Sequence, residues 1–242
     1  MSDNVSVIIA CFNEQQSIEE CLTRTLKALP EAEILVIHGG SDDTAKKASA
    51  MAKDHKNIRV LRNYGDTGKG HAVKIGISIA QYDLMVQLDA DLQFMPEEIP
   101  KVLQPIRAGD AEIVFGARFM KESNVQNYNF SFFRVMGNRI VNKYFSLLTR
   151  TPIYDVTTGF KAWTRKAIED ISFRDNGFVY EAEIAMRGSI KGYRITMVPV
   201  TYCNRLGGIS GHGSGIKEPL SIILTGIKIL FLGTSLRLRA SL

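Results

Sequence analysis

The sequence has little of what would make it a disulfide scaffold, a zinc protein or a membrane-spanning chain. Three cysteines, Cys11, Cys21 and Cys203, stand at irregular intervals among 242 residues. Their odd number and spacing read as neither a disulfide framework nor a CxxC zinc site, so a reducing compartment is expected. The four histidines form no cluster with the cysteines that would suit a soft metal. No run of like charge is long enough for a nucleic-acid tail, and no nucleic-acid partner is expected. The opening MSDNVSVIIACFNE enters a strand pattern directly, without the charged, apolar and small-residue regions of a signal peptide. The GxxxxGK[ST] spacing of a Walker A loop is also missing.

What is present describes an ordinary globular chain with a basic bias. Apolar residues make up 45% and charged ones 23%, with a net charge of +5. Such a balance favours anionic partners, among them nucleotides, phosphorylated lipids and membrane surfaces. The first half alternates short apolar runs with helical periodicity. Strands are expected at Val5–Ala10, Glu33–Ile37, Ile58–Asn63, Leu84–Leu88 and Ile113–Phe115. Helices are expected at Gln15–Leu29, Ser41–Asp54, Lys69–Ala80 and Pro96–Ala108. Ser17 with Glu20 reads as a capping box, and Ser41 and Asp43 as caps of the following helix. The pattern implies an α/β fold with a mostly parallel, Rossmann-like sheet flanked by helices, whose ligands bind beyond the carboxyl ends of the strands.

The second half predicts an amphipathic helix at Phe132–Leu148, a short strand after TPIYDVTTGF, helices at Ala167–Ile171 and Tyr180–Lys191, and a strand at Arg194–Pro199. We divide the chain into a main domain, 1–218, and an apolar segment, 219–242. The polar positions of that segment, Ser221, Thr225, Lys228, Ser235 and Arg239, share one helical stripe broken only by Leu232. Its uninterrupted apolar run is shorter than the ~20 residues of a spanning helix. Two readings stand: a helix lying in a membrane interface or on a partner, or one packed on the protein's own core.

Each strand of the first half runs into a polar or glycine-rich turn: CFNE, HGGSDDT, NYGDTGKGHA, DADLQ and GARF. In DADLQ, Asp89 and Asp91 point to one side at strand spacing, with Gln93 beyond. Two carboxylates and an amide oxygen are hard ligands suited to Mg²⁺ or Mn²⁺; the alternative is an N-cap before Pro96. The glycines of GDTGKGHA allow close backbone approach, and Lys69 stands at a helix start that favours anions. Phe12 offers an apolar platform, and Asn13 and Glu14 can read a base or ribose. Among Arg118, Arg134, Arg139 and Arg205, the first follows a rim strand and the last borders a glycine-rich loop, which suits them to phosphate.

These stretches together resemble the inverting nucleotide-sugar glycosyltransferases of GT-A fold, and among them the polyprenyl-phosphate branch of dolichyl-phosphate mannose synthases and their glucosyl relatives. The resembling residues are VSVIIACFNE, GKGHA, VQLDADLQFMPEEIPKVL, GARF, FFRVMGNRIVNKYFSLLT, YDVTTGFKAWTRKAI, YEAEIAMRGSIKGYRI and VPVTYCNR with the following GG, across residues 5–208. The QxxRW of processive polysaccharide synthases is absent. The resemblance implies hexose transfer from a GDP- or UDP-sugar to a polyprenyl phosphate, with Mg²⁺ or Mn²⁺, at the cytoplasmic face of a membrane, in a possible homo-oligomer. It implies a donor pocket of Ala10, Phe12, Asn13, Glu14, Ile37, Gly39, Lys69, Asp89, Ala90, Asp91, Gln93 and Arg205. Asp89, Asp91 and Gln93 would hold the metal; Arg118, Arg134 and Asn138 would hold the acceptor phosphate; Asp91, Arg118 and Arg205 would serve catalysis. The sequence departs from the pattern at His38-Gly39, where an acidic pair is usual, at Ala10 for proline, and after Arg205, where His212 or Lys217 stands for the usual lysine. A sugar-hydroxyl acceptor, with Glu181 or Glu183 as base, and a non-catalytic nucleotide-sugar binder are the alternatives.

Overall fold

The computed structural model describes residues 4–65, 67–127 and 132–206, with backbone alone at 132–134. Nine strands and seven α-helices occur among them: β1 (Val5–Phe12), α1 (Ile18–Ala28), β2 (Glu33–Gly39), α2 (Thr44–Asp54), β3 (Ile58–Arg62), α3 (Lys69–Ile79), β4 (Leu84–Asp89), α4 (Ile99–Arg107), β5 (Ile113–Ala117), β6 (Asn124–Val125), α5 (Phe132–Thr149), β7 (Lys161–Thr164), α6 (Arg165–Ile171), α7 (Tyr180–Ile190), β8 (Ile195–Pro199) and β9 (Thr201–Tyr202). Seven strands form one sheet in the order β3-β2-β1-β4-β7-β5-β8. All its pairings are parallel except those of β7, which runs antiparallel to both β4 and β5. Strands β6 and β9 make a small second sheet that the periodicity does not predict.

Burial explains the runs. β1 reads VSVIIACF because both of its faces are covered. Val5, Val7, Ile9 and Cys11 meet Ile18, Cys21 and Leu22 of α1 and Val102 and Leu103 of α4. Ile8 and Ala10 face the opposite layer, with Val73 of α3, Phe145 of α5, Ile168 of α6 and Ile184 of α7. α3 lies close on the sheet because Gly76 has no side chain: a Cβ there would collide with Cγ2 of the fully buried Ile8.

The expected elements are present, with shifted ends. The helix expected from Pro96 opens as a 3₁₀ turn over Pro96–Glu98 before α4 begins. The expected caps are not made. The Ser17 hydroxyl donates to the carbonyl and carboxylate of Glu14, because that buried carboxylate needs a donor where the helix start does not. Asp43 makes no side-chain cap; Asp42 instead accepts from the N–H and hydroxyl of Thr44. Segment 219–242, with His212 and Lys217, lies outside the described residues.

Replacing Gly76 by alanine is expected to destabilise the protein by about 1–3 kcal/mol through overpacking against Ile8. Urea denaturation with an unchanged m-value checks this.

Candidate active site

β4 delivers Asp89 to the rim, and the chain then turns through Leu92 at φ 59°. The turn folds Asp91 inward, where its Oδ1 accepts the Gln93 N–H at 3.0 Å. A second segment, 202–206, is laced along this loop. Cys203 N–H bonds the Gln93 carbonyl at 2.9 Å and Leu206 N–H the Asp91 carbonyl at 3.2 Å. Phe94 bridges Tyr202. This lacing hangs Arg205 over two carboxylates: Nη2 lies 2.7 Å from Asp91 Oδ2 and Nη1 3.0 Å from Glu14 Oε1.

Burial dominates the titration of both acids. Glu14 is pushed up to about 7, against the pull of the Ser17 hydroxyl and the Arg205 guanidinium. Asp91 is raised by burial and further by Asp89. Asp89 turns the other way. Lys69 Nζ lies 2.7 Å from its Oδ1 and 3.0 Å from its Oδ2, and also 3.2 Å from Glu181 Oε1. Burial would depress Lys69, but Asp89, Tyr180 and Glu181 outweigh it and hold its pKa well above the usual lysine value. The space beside Asp89 depends on Gly159, where a Cβ would clash with its carboxylate.

The start of α3 is not an open anion cradle. Gly70 N–H donates to the Gly177 carbonyl at 2.9 Å and His71 N–H to that of Asn176 at 3.1 Å. Lys69 serves the site through its side chain, as a partner of Asp89. The β1–β2 end of the rim has another layout. Phe12 is 58% exposed there. Asn13, at φ 55°, spends its Oδ1 on the N–H groups of Ser41 and Asp42, 3.0 and 3.3 Å away, and so shapes the loop. Ala10 and Ile37 are paired neighbours whose buried side chains belong to the core, Gly39 pairs with Phe12, and Ala90 is buried. Phe12, Glu14, Asp89, Asp91, Gln93, Lys69 and Arg205 thus share the rim by side chain, whereas Ala10, Ile37 and Gly39 frame it.

On the other flank Arg118 leaves β5 and is buried against Asp155. Its Nε and Nη2 bond the two carboxylate oxygens at 2.6 and 2.8 Å, and its backbone N–H bonds Oδ2 at 2.9 Å. The rings of Phe94, Phe119 and Tyr202 surround the guanidinium at 5.2–5.9 Å. Burial opposes its charge, but Asp155 raises its pKa further. Arg118 Nη2 reaches Thr157 Oγ1 at 3.3 Å, and that hydroxyl donates to Asn138 Oδ1 at 3.4 Å, so Arg118 and Asn138 are joined through one threonine. The Arg134 side chain lies outside the described residues, and Arg139 is exposed.

The donor set fits a hard divalent cation in charge and chemistry. Four carboxyl groups, Glu14, Asp89, Asp91 and Glu181, face three cationic side chains, Lys69, Arg205 and Lys161. A diphosphate would come to rest beside Asp89 and Asp91 only with added positive charge. Among the described residues no three His, Cys, Asp or Glu side chains cluster as a complete metal cage. Mg²⁺ and Mn²⁺ need no such cage, since they take one or two carboxylates and fill the rest with water and phosphate.

The sequence pattern of glycosyl transferase family 2 matches residues 6–172. The chain belongs to that family. This glycosyltransferase is 30% identical over 223 residues to a polyprenol monophosphomannose synthase of Mycolicibacterium smegmatis, covering 88% of this chain and 83% of the relative. It is 32% identical over 209 residues to a dolichol-phosphate mannosyltransferase of Pyrococcus furiosus, covering 85% of this chain and 58% of the relative. Its fold matches that of glucosyl-3-phosphoglycerate synthase from Mycobacterium tuberculosis, solved with Mn²⁺, UDP and phosphoglyceric acid. The TM-score is 0.67 at 17% identity, over 96% of this chain and 78% of that one.

Two residues of the glycosyltransferase site have no role in the sequence reading. Asp155, the partner of Arg118, and Lys161, buried beneath Asp89, both lie in DVTTGFKAW. The signal was there: Lys161 is a charged residue inside the apolar run Phe160–Trp163. Glu183 is occupied structurally, accepting the N–H groups of Arg174 and Asp175 and pairing with Arg187.

The raised pKa of Glu14 has a defined pH signature. The folded chain holds this proton more tightly than the unfolded one, so the contribution is fully present below about 4.5 and lost as pH rises through about 7. Glu14→Gln lacks this loss. Its melting temperature relative to wild type should rise between those pH values and level off above them; a flat difference in thermal melts would contradict the assignment.

Proposed function

We propose that this glycosyltransferase moves a hexose from a GDP- or UDP-sugar to a polyprenyl phosphate, with inversion and with Mg²⁺ or Mn²⁺ at the donor diphosphate. The supporting observation is the state of the carboxylates. Asp155 is bound by Arg118, Glu181 by Lys69 and Lys161, and Glu183 by backbone N–H groups and Arg187. A neutral hydroxyl acceptor would need one of these as a base. A phosphate acceptor is already ionised at neutral pH, its second pKa being about 6. The names of the relatives from Mycolicibacterium smegmatis and Pyrococcus furiosus support the same acceptor class.

Asp89, Asp91 and the Gln93 side chain would hold the metal, which when bound supplies positive charge against the leaving diphosphate. Arg205, carried by the 202–206 segment, meets the same diphosphate from above. Arg118, Arg134 and Asn138 orient the acceptor phosphate. One of its oxygens bonds to the anomeric carbon while the bond to the diphosphate breaks, and the electron pair leaves with the diphosphate. This in-line displacement inverts the centre. No proton has to move, so the residues act by position and charge.

The outer face of α5 supports a location at a membrane surface. Met136, Ile140 and Leu147 are exposed, the last 78%; Arg139 and Lys143 are exposed on the neighbouring side of the helix, and Arg150 is exposed just past its end. An apolar strip flanked by basic side chains suits an anionic lipid interface. Among the described residues no helix is long and apolar enough to cross a membrane.

Two outcomes are expected. Incubation with Mn²⁺, labelled GDP-mannose or UDP-glucose and a polyprenyl phosphate should carry label into the lipid phase. Asp91→Ala should lower that transfer about 100-fold or more, and EDTA should abolish it; label that stays in water with every donor refutes the reading. In flotation assays with vesicles containing phosphatidylglycerol, the pair Ile140→Glu and Leu147→Glu should reduce binding, whereas a surface change on α2 should not.

A further inference from the structure

Lys161 is the least expected charge in the molecule. It is 0% exposed, at the start of the strand that runs backwards through the middle of the sheet, between Gln87 and Phe115. Its ammonium donates to the Thr158 carbonyl, lies 3.6 Å from Glu181 Oε1, and faces the rings of Phe115 and Tyr180 at 5.4 and 5.8 Å. Burial, with Lys69 adding to it, lowers the Lys161 pKa to about 8 despite Glu181. An isolated buried ammonium is costly, and this one is shut off from solvent.

Glu181 accounts for it. The same Oε1 lies 3.2 Å from Lys69 Nζ, 3.6 Å from Lys161 Nζ and 3.4 Å from the Tyr180 hydroxyl. Lys69 reaches on to Asp89. The four side chains make an alternating row, Asp89, Lys69, Glu181, Lys161, with no net charge. Its lower end is sealed in the sheet and its upper end opens at the donor rim. If Lys161 were absent, Glu181 would be a buried anion with one cation to draw on, and it would pull Lys69 inward from Asp89. With Lys161 in place, Glu181 is balanced from below, and Lys69 is shared between Glu181 and the rim.

We infer that Glu181 and Lys161 are positioning residues for the donor: Lys161 balances Glu181 so that Lys69 keeps its ammonium at Asp89, beside the incoming nucleotide diphosphate. The inference deepens the donor half of the function proposed above and rests on it. When the donor engages Asp89, Lys69 keeps Glu181 as a partner and stays charged next to the leaving group. Glu181 is thereby a counter-ion and not a base.

The test is a double-mutant cycle on the whole 242-residue chain, read by calorimetric binding of GDP and of UDP in the presence of Mn²⁺. Kinetics follow with whichever sugar donor is active. Lys161→Met should weaken nucleotide binding about tenfold, and adding Glu181→Gln should recover most of that loss, a coupling typical of residues in one charged network. A double variant as weak as Lys161→Met, or a folded Lys161→Met that binds like wild type, overturns the inference. Lys69→Met is independent of whether Lys161→Met folds: it should weaken binding at least as much, and unchanged binding overturns the inference as well. Loss of transfer in Glu181→Gln and in the double variant, with binding intact in both, would instead make Glu181 a base and likewise overturns it. Binding needs no acceptor, so a wild type that binds nucleotide yet never labels a polyprenyl phosphate refutes the acceptor assignment alone.

Discussion

The site is organised by the need to neutralise carboxylates at the end of an apolar sheet. Asp89 and Asp91 follow a strand whose interior is buried on both faces, and Glu14 is held nearby at the end of β1. Each would be costly there alone. The chain answers with cations from distant segments: Lys69 from α3, Arg205 from beyond β9, and Lys161 from β7. Segments far apart in sequence are thus drawn to one point by charge. Breaking one such pair by removing a single partner is far more damaging than removing both, because the survivor is left buried and uncompensated.

The same economy separates the two halves of the site. Around Asp89 and Asp91 the carboxyl groups outnumber the cationic side chains, which suits the metal and diphosphate proposed there. On the other flank Arg118 is matched by Asp155 and walled by aromatic rings, so its direction is fixed. A guanidinium held in this way would lose little freedom on binding the acceptor phosphate proposed above. Gly159 joins the halves: its missing side chain lets the 155–160 turn press against Asp89.

The parallel sheet was legible because β1, β2 and β4 are apolar on both faces and are followed by polar turns. The rim residues were legible for a related reason, since Asp89, Asp91 and Lys69 stand where apolar periodicity stops. Pairing was not legible. Nothing local says that Arg205 reaches Glu14, 191 positions away, or that Arg118 takes Asp155. The caps failed in the same way. Ser17 has the sequence of a cap, but tertiary burial of Glu14 claims its hydroxyl. The short pairing of β6 with β9 escaped because two-residue strands carry no period.

The reversed strand gives the molecule a further property. Since β5 ends at the rim and β7 begins there, the stretch from Arg118 to Phe160 departs and returns through adjacent strands, with Phe115 opposite Lys161. That excursion is a cassette with both of its seams side by side. It carries Arg118, Asn138, Asp155 and the exposed apolar side chains of α5, to which the proposed acceptor and membrane-surface roles are given. A designer who rebuilt it would have three ties to keep, the two seams and the β6–β9 pairing that fastens it to the strand before Arg205.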